Sequence, residues 1–146
     1  METLKKNTVK IDTEKPYKRL KILVIGDGGV GKTALCKRLS CDTFDPKYTP
    51  TIGSDYECGG VTVGKETIKV CMWDCSGHPE FVEVRNEFCK ECNCILIVYD
   101  ITSKKSFHGI EMWIREAAKF KGETEVGVYV CGSKADSEGK RIVSES

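Results

Sequence analysis

Apolar positions along this chain alternate between short continuous runs and stripes at three- and four-residue spacing. Leu20 to Ile25 reads as a buried strand that runs directly into a glycine-rich turn and then a helix beginning near Gly31, with Leu35 and Leu39 on one face. Tyr56 to Val63 and Thr67 to Trp73 read as a hairpin joined around Gly64 and Lys65, in which Ile68, Val70 and Met72 share a face. Glu80 to Cys92 predicts an irregular helix, and Cys94 to Asp100 is so uniformly apolar that it predicts a central strand covered on both sides. Thr102 or Ser103 can cap the next helix, whose Phe107, Ile110, Trp113, Ile114 and Ala117 form a core stripe. Val126 to Cys131 predicts one more strand, followed by a polar stretch to Ser146. Such alternation predicts an α/β domain: a mostly parallel sheet with helices on both faces, right-handed crossovers and a ligand site at the carboxyl ends of the strands. The first 18 residues are polar, lysine-rich and without periodicity, and predict a flexible arm ahead of a folded domain over residues 19–146.

Composition narrows the partners. A length of 146 residues with 40% hydrophobic content suits one domain with one core. A net charge of +1 gives no global field that would favour nucleic acid or an anionic membrane. The longest apolar run, Cys94 to Tyr99, falls far short of the roughly 20 residues that cross a bilayer, and the polar N-terminus has no signal-peptide core. Glu2 replaces the glycine that myristoylation requires, and the last residues hold no prenylatable cysteine, so no lipid anchor is visible and the expected location is cytoplasmic. Nine cysteines make an odd set, better read as reduced thiols than as a disulfide framework. Cys89, Cys92 and Cys94 resemble half of a zinc site, but neither His78 nor His108 has the spacing to supply the other half.

Chemistry concentrates in the loops after the strands. Gly26, Asp27, Gly28, Gly29, Val30, Gly31, Lys32 and Thr33 match G-x-x-x-x-G-K-[ST] between a strand and a helix, with Ala34 in the helix's first turn. Glycines let successive N–H groups point at phosphate oxygens, and the helix presents its positive end to the same anion. Lys32 would reach the β- and γ-phosphates and Thr33 would coordinate Mg²⁺. Asp74 closes a strand where a carboxylate could hold Mg²⁺ through water on the opposite side from Thr33, and Gly77 leaves room for a backbone N–H at the γ-phosphate. Thr51 could add a second hydroxyl to the metal.

With these motifs in order, residues 18–136 resemble the Ras superfamily of small GTPases, most closely the Rab-like branch. Gly77-His78-Pro79-Glu80-Phe81 with Glu83-Val84-Arg85-Asn86-Glu87-Phe88 is similar to the RJL family, Rab-like proteins with or without a DnaJ domain. The resemblance implies a Ras-like P-loop fold and a two-state switch in which GTP orders loops 44–56 and 74–87 for effector and regulatory proteins. It also implies an edge-on contact of Phe44 with guanine and a lid role for Tyr48.

Base choice rests on Ser133-Lys134-Ala135-Asp136: the Asp136 carboxylate can accept two hydrogen bonds that guanine offers and adenine does not, and the Lys134 stem can lie along the ring. Three departures qualify the resemblance. Ser133 replaces the usual Asn and is expected to lose ties to both the base and the phosphate loop. His78 stands where most relatives place the Gln that orients the attacking water, so slow hydrolysis is expected, with His78, Gly77 and Lys32 as the catalytic candidates; Arg85 is expected to form a salt bridge on its helix face. Finally, residues 137–146 are too few for the helix, strand and closing helix that follow in the family, so the domain is expected to be C-terminally truncated. A GTP/GDP- and Mg²⁺-dependent switch leads; a nucleotide-binding interaction module without hydrolysis and an ATP-using P-loop enzyme remain as alternatives.

Overall fold

A computed structural model describes residues 8–12, 14–121 and 125–144. Its strands are β1 (Thr8–Val9), β2 (Lys18–Ile25), β3 (Ser54–Val63), β4 (Glu66–Cys75), β5 (Cys94–Asp100) and β6 (Gly127–Ser133), in the order β1-β3-β4-β2-β5-β6. Pairing is parallel from β4 through β2 and β5 to β6 and antiparallel at β1–β3 and β3–β4. The β3–β4 turn uses two residues, with Gly64 in the left-handed region at φ +63°, as a tight hairpin requires. Between the strands lie α1 (Lys32–Cys41), α2 (Val82–Cys89), α3 (Lys104–His108) and α4 (Ile110–Phe120).

Successive residues of the central strands enter opposite cores, which is why they carry no polar alternation. Leu23, Ile25, Ile95 and Ile97 pack with Trp113 and Ala117 of α4, whereas Val24, Val70, Met72 and Val98 pack with Cys36 of α1. β6 stands at the outer edge with Val128, Tyr129 and Val130 exposed.

Several expectations need correction. Within the segment read as an arm without periodicity, Thr8 and Val9 pair with Val61 and Gly60 at the other edge; residues 1–7 and 13 lie outside the described part. The approach is close: a Cβ on Gly60 would sit 2.6 Å from the Val9 carbonyl oxygen. On α1 it is Cys36, not Leu35, that fills the core alongside Leu39; Leu35 is exposed. The helix expected to begin at Glu80 is a 3₁₀ turn over Pro79–Phe81 that leads into α2. The stripe from Phe107 to Ala117 divides at Gly109, so Phe107 belongs to the short α3 and meets Tyr99 edge-on at 5.3 Å while staying exposed. Ile114 also faces out, because the sheet covers only the line through Ile110, Trp113, Ala117 and Phe120. Ser103 is the cap, accepting a hydrogen bond from the Ser106 N–H.

Candidate functional site

β2 gives way at Gly26, where the chain turns with φ +143° and a Cβ would lie 2.2 Å from the Val98 carbonyl oxygen of β5. Only glycine satisfies both conditions. From there Asp27, Gly28, Gly29, Val30 and Gly31 curl into the start of α1, and the Val30 side chain anchors the loop in the α1-side core. Lys32 is 6% exposed, and its ammonium donates to the carbonyls of Gly26 at 2.9 Å and Asp27 at 2.7 Å. Burial lowers its pKa, with Asp74 and Asp27 pulling the other way. α1 has no acidic side chain in its first turn, so its positive end and the buried ammonium face one region together, a setting that favours an anion.

Asp74 is wholly buried near the end of β4, in register with Val24 of β2. Its Oδ2 accepts a hydrogen bond from Thr33 Oγ1 at 2.5 Å and a longer one from Thr51 at 3.5 Å, and the two hydroxyls are 3.1 Å apart. The other carboxylate oxygen, Oδ1, is buried without a hydrogen-bond partner among the described residues. Burial raises the Asp74 pKa, and the Thr33 hydrogen bond opposes that rise. A buried carboxylate with an orphan oxygen beside two hydroxyls is an all-oxygen donor set of the kind that suits a hard divalent cation, so these residues fit Mg²⁺.

A cavity of about 310 Å³ opens between the phosphate loop and residues 43–51; Gly28, Gly29, Gly31, Lys32, Thr33 and Ala34 line it from one side, Phe44, Tyr48 and Thr51 from the other. The Tyr48 hydroxyl lies 3.5 Å from where a side chain on Gly28 would begin. Gly77 and His78 close a third side. A Cβ on Gly77 would come within 2.5 Å of the Gly26 carbonyl oxygen, so glycine lets this loop touch the phosphate loop. His78 is exposed and extended, and its N–H donates to Ser76 Oγ at 3.3 Å.

At the end of β6, Lys134 takes a left-handed conformation at φ +63°, lines the cavity and pairs with Asp100 at 2.7 Å. Burial works against the Asp100 carboxylate, but hydrogen bonds from Lys134 and Thr102 outweigh it and hold its pKa below the ordinary value. Asp136 is exposed in the 3₁₀ turn Ala135–Lys140 and is not among the residues lining the cavity. Ser133 departs from expectation: it keeps a tie to the phosphate loop, because its buried hydroxyl lies within hydrogen-bond reach of the Val30 carbonyl and, at 2.9 Å, of the Tyr99 carbonyl. A shorter side chain reaches because β6 runs close to the loop; the Oγ would lie 3.7 Å from a Cβ on Gly31.

Arg85, expected to form a salt bridge on its helix face, is 2% exposed. It does form an ion pair, but inward to Glu116 of α4, with Nε and an Nη at 2.7 and 3.2 Å from the two carboxylate oxygens. Trp113, read as core, also donates its indole N–H to the Asp27 carboxylate at 2.8 Å. Among the described residues no cluster of three or more His, Cys, Asp or Glu could hold a metal, and Cys92 instead donates its thiol to the Cys89 carbonyl. No helix among them is long and apolar enough to cross a membrane.

A parallel strand feeding a glycine loop and helix, with a carboxylate closing the adjacent strand, defines a P-loop protein of the α/β class. The sequence model of the Ras family matches residues 21–146, and the chain belongs to that family, on its Rab-like side. It is 38% identical over 142 residues to DnaJ homolog subfamily C member 27-B of Xenopus laevis, covering 92% of this chain and 51% of that protein. It is 37% identical over 123 residues to GTP-binding protein YPT1 of Saccharomyces cerevisiae, covering 84% of this chain and 59% of that one. The chain thus spans somewhat more than half the length of these two relatives.

Proposed function

We propose that this chain is a molecular switch that binds GTP and GDP with Mg²⁺ and hydrolyses GTP slowly. The observation that carries the reading is that Lys32, Thr33 and Thr51 line the cavity beside the phosphate loop while the buried Asp74 accepts hydrogen bonds from both threonine hydroxyls behind them. In this scheme Lys32 and the N–H groups of the glycine loop hold the β- and γ-phosphates, and Thr33, Thr51 and Asp74 hold the metal. The ion supplies charge neutralisation where the phosphates meet. Phe44 and the Lys134 stem flank the base, Asp136 selects guanine, and Tyr48 covers the phosphates. Loops 44–56 and 74–87 are the surfaces for effector and regulatory proteins, and a cytoplasmic location belongs to the same reading. Binding of a fluorescent guanine nucleotide, competed by GTP, GDP and ATP, tests it: displacement by GTP and GDP but not ATP is expected, and equal displacement by ATP or failure to bind overturns it.

A second reading, a nucleotide-dependent interaction module without hydrolysis, draws on His78. An exposed imidazole on an extended backbone is a poor device for fixing a water in line with a phosphate. Single-turnover release of γ-phosphate separates the two.

A further inference from the structure

Gly77 lies between two carbonyls that one side chain holds. Arg85, from α2, donates through the same Nη to the Ser76 carbonyl at 2.8 Å and the His78 carbonyl at 2.7 Å. The rest of its guanidinium is occupied by Glu116, and the charged plane rests over the Trp113 ring at 5.0 Å. Peptide geometry turns this clamp into a constraint. No peptide bond in the described chain is cis, and in a trans unit the C=O and the following N–H point in opposite directions. Fixing the Ser76 carbonyl toward Arg85 therefore fixes the Gly77 N–H away from Arg85. Among the described residues that N–H donates to none, and Gly77 borders the nucleotide cavity against the phosphate loop. The unit is tied to the opposite wall too, since the tryptophan under Arg85 is the one that donates to Asp27 of the phosphate loop.

We infer that Arg85 is a positioning residue: its fork on the Ser76 and His78 carbonyls presets the Gly77 N–H toward the terminal phosphate, so the chain discriminates triphosphate from diphosphate by a loop arranged in advance. The inference rests on the nucleotide reading above. A buried ion pair commonly contributes little net stability relative to neutral partners of similar shape, so stability alone does not account for placing Arg85 and Glu116 here. A planar cation that bridges two carbonyls of one turn, and is oriented by a bidentate carboxylate, supplies direction.

The test compares dissociation constants for GDP and for a hydrolysis-resistant GTP analogue in wild type, Arg85→Gln/Glu116→Gln and Arg85→Lys. The double variant removes both charges together, so neither is left buried alone, and its GDP affinity reports on the fold. Expected is GDP affinity within about threefold of wild type and analogue affinity lower by about tenfold or more, the size of one charge-assisted hydrogen bond. Arg85→Lys keeps the charge balance but lacks the planar fork that pairs with both Glu116 oxygens while holding the two carbonyls, so it should fall between the two. It decides the question if the double variant does not fold. In a Trp73→Phe background, Trp113 emission should respond to the analogue in wild type and not in the double variant. An unchanged analogue-to-GDP ratio, or equal loss of both nucleotides, overturns the inference. Wild type that binds neither nucleotide overturns the underlying reading, and this inference with it.

Discussion

The indole N–H of Trp113 donates to the Asp27 carboxylate at 2.8 Å, joining the middle of α4 to the phosphate loop across 86 positions of sequence. A residue that fills the core with its ring thus also holds the loop with its one polar atom. Trp113→Phe keeps most of the ring and deletes the donor. Denaturant unfolding should show a loss of about 1–2 kcal/mol, and nucleotide should dissociate faster. Unchanged stability and off-rate would mean that the hydrogen bond holds nothing.

Ser133 offers a similar case on the base side. Ser133→Ala leaves the Val30 and Tyr99 carbonyls without this hydroxyl, and a cost of about 1–3 kcal/mol in stability is expected, with guanine nucleotide affinity weakened in parallel. Calorimetry with and without nucleotide measures both; a neutral substitution would show that the serine is only a spacer.

For Asp74 the expected signs differ between stability and binding. Burial makes its charged form costly in the folded chain, so Asp74→Asn should raise thermal stability in the absence of ligand. The same substitution should weaken triphosphate binding about tenfold or more and reduce its dependence on Mg²⁺, whereas chelation should weaken binding in wild type. Melting curves with and without Mg²⁺ and nucleotide check both halves, and a less stable ligand-free variant would contradict the first.

His78→Gln should speed single-turnover GTP hydrolysis by about tenfold or more, since it places an amide of suitable length beside Gly77 for holding water. An unchanged rate would assign the slow step elsewhere.

Asp100 sets an acid limit. Its folded pKa lies below the ordinary 3.8, because the Lys134 and Thr102 hydrogen bonds outweigh its burial. A depressed carboxylate contributes stability that is fully present above the ordinary value and is lost as pH falls through the lower folded value. Asp100→Asn should therefore reduce stability at neutral pH and flatten its fall below about pH 4, the ordinary carboxylate range, in acid titrations followed by circular dichroism. A parallel fall in both proteins would remove Asp100 from the acid response.

The phosphate loop and the strand-terminal Asp74 were legible in the sequence because their chemistry is local: residue type and spacing after an apolar run suffice. Arg85 was not, since an arginine on a short helix next to acidic residues has the pattern of a solvated face, and its partners Glu116, Ser76 and His78 converge only through the packing of α2 against α4. Ser133 is the reverse case. Its short side chain is plain from the sequence, but its tie to the phosphate loop depends on the approach of β6 to Val30 through parallel pairing with β5, which composition does not encode. The two-residue β1 has no periodicity to detect; backbone pairing against Gly60 alone makes it a strand.

The pairing of Val24 with Asp74 has a bearing on how the chain reaches its native state. Because side chains alternate across a strand, a slip of one residue between β2 and β4 would carry the carboxylate to the other face, away from Thr33. Those strands are brought together only by closing a loop of about 50 residues, an entropically costly and slow event of the kind that sets folding rates. A ligand that recognises Asp74 and Thr33 together therefore binds only chains that have completed this closure, and it should draw the folding equilibrium toward them in proportion to its concentration. On the proposed reading, guanine nucleotide and Mg²⁺ present during synthesis would then raise the fraction of chains that reach the folded state.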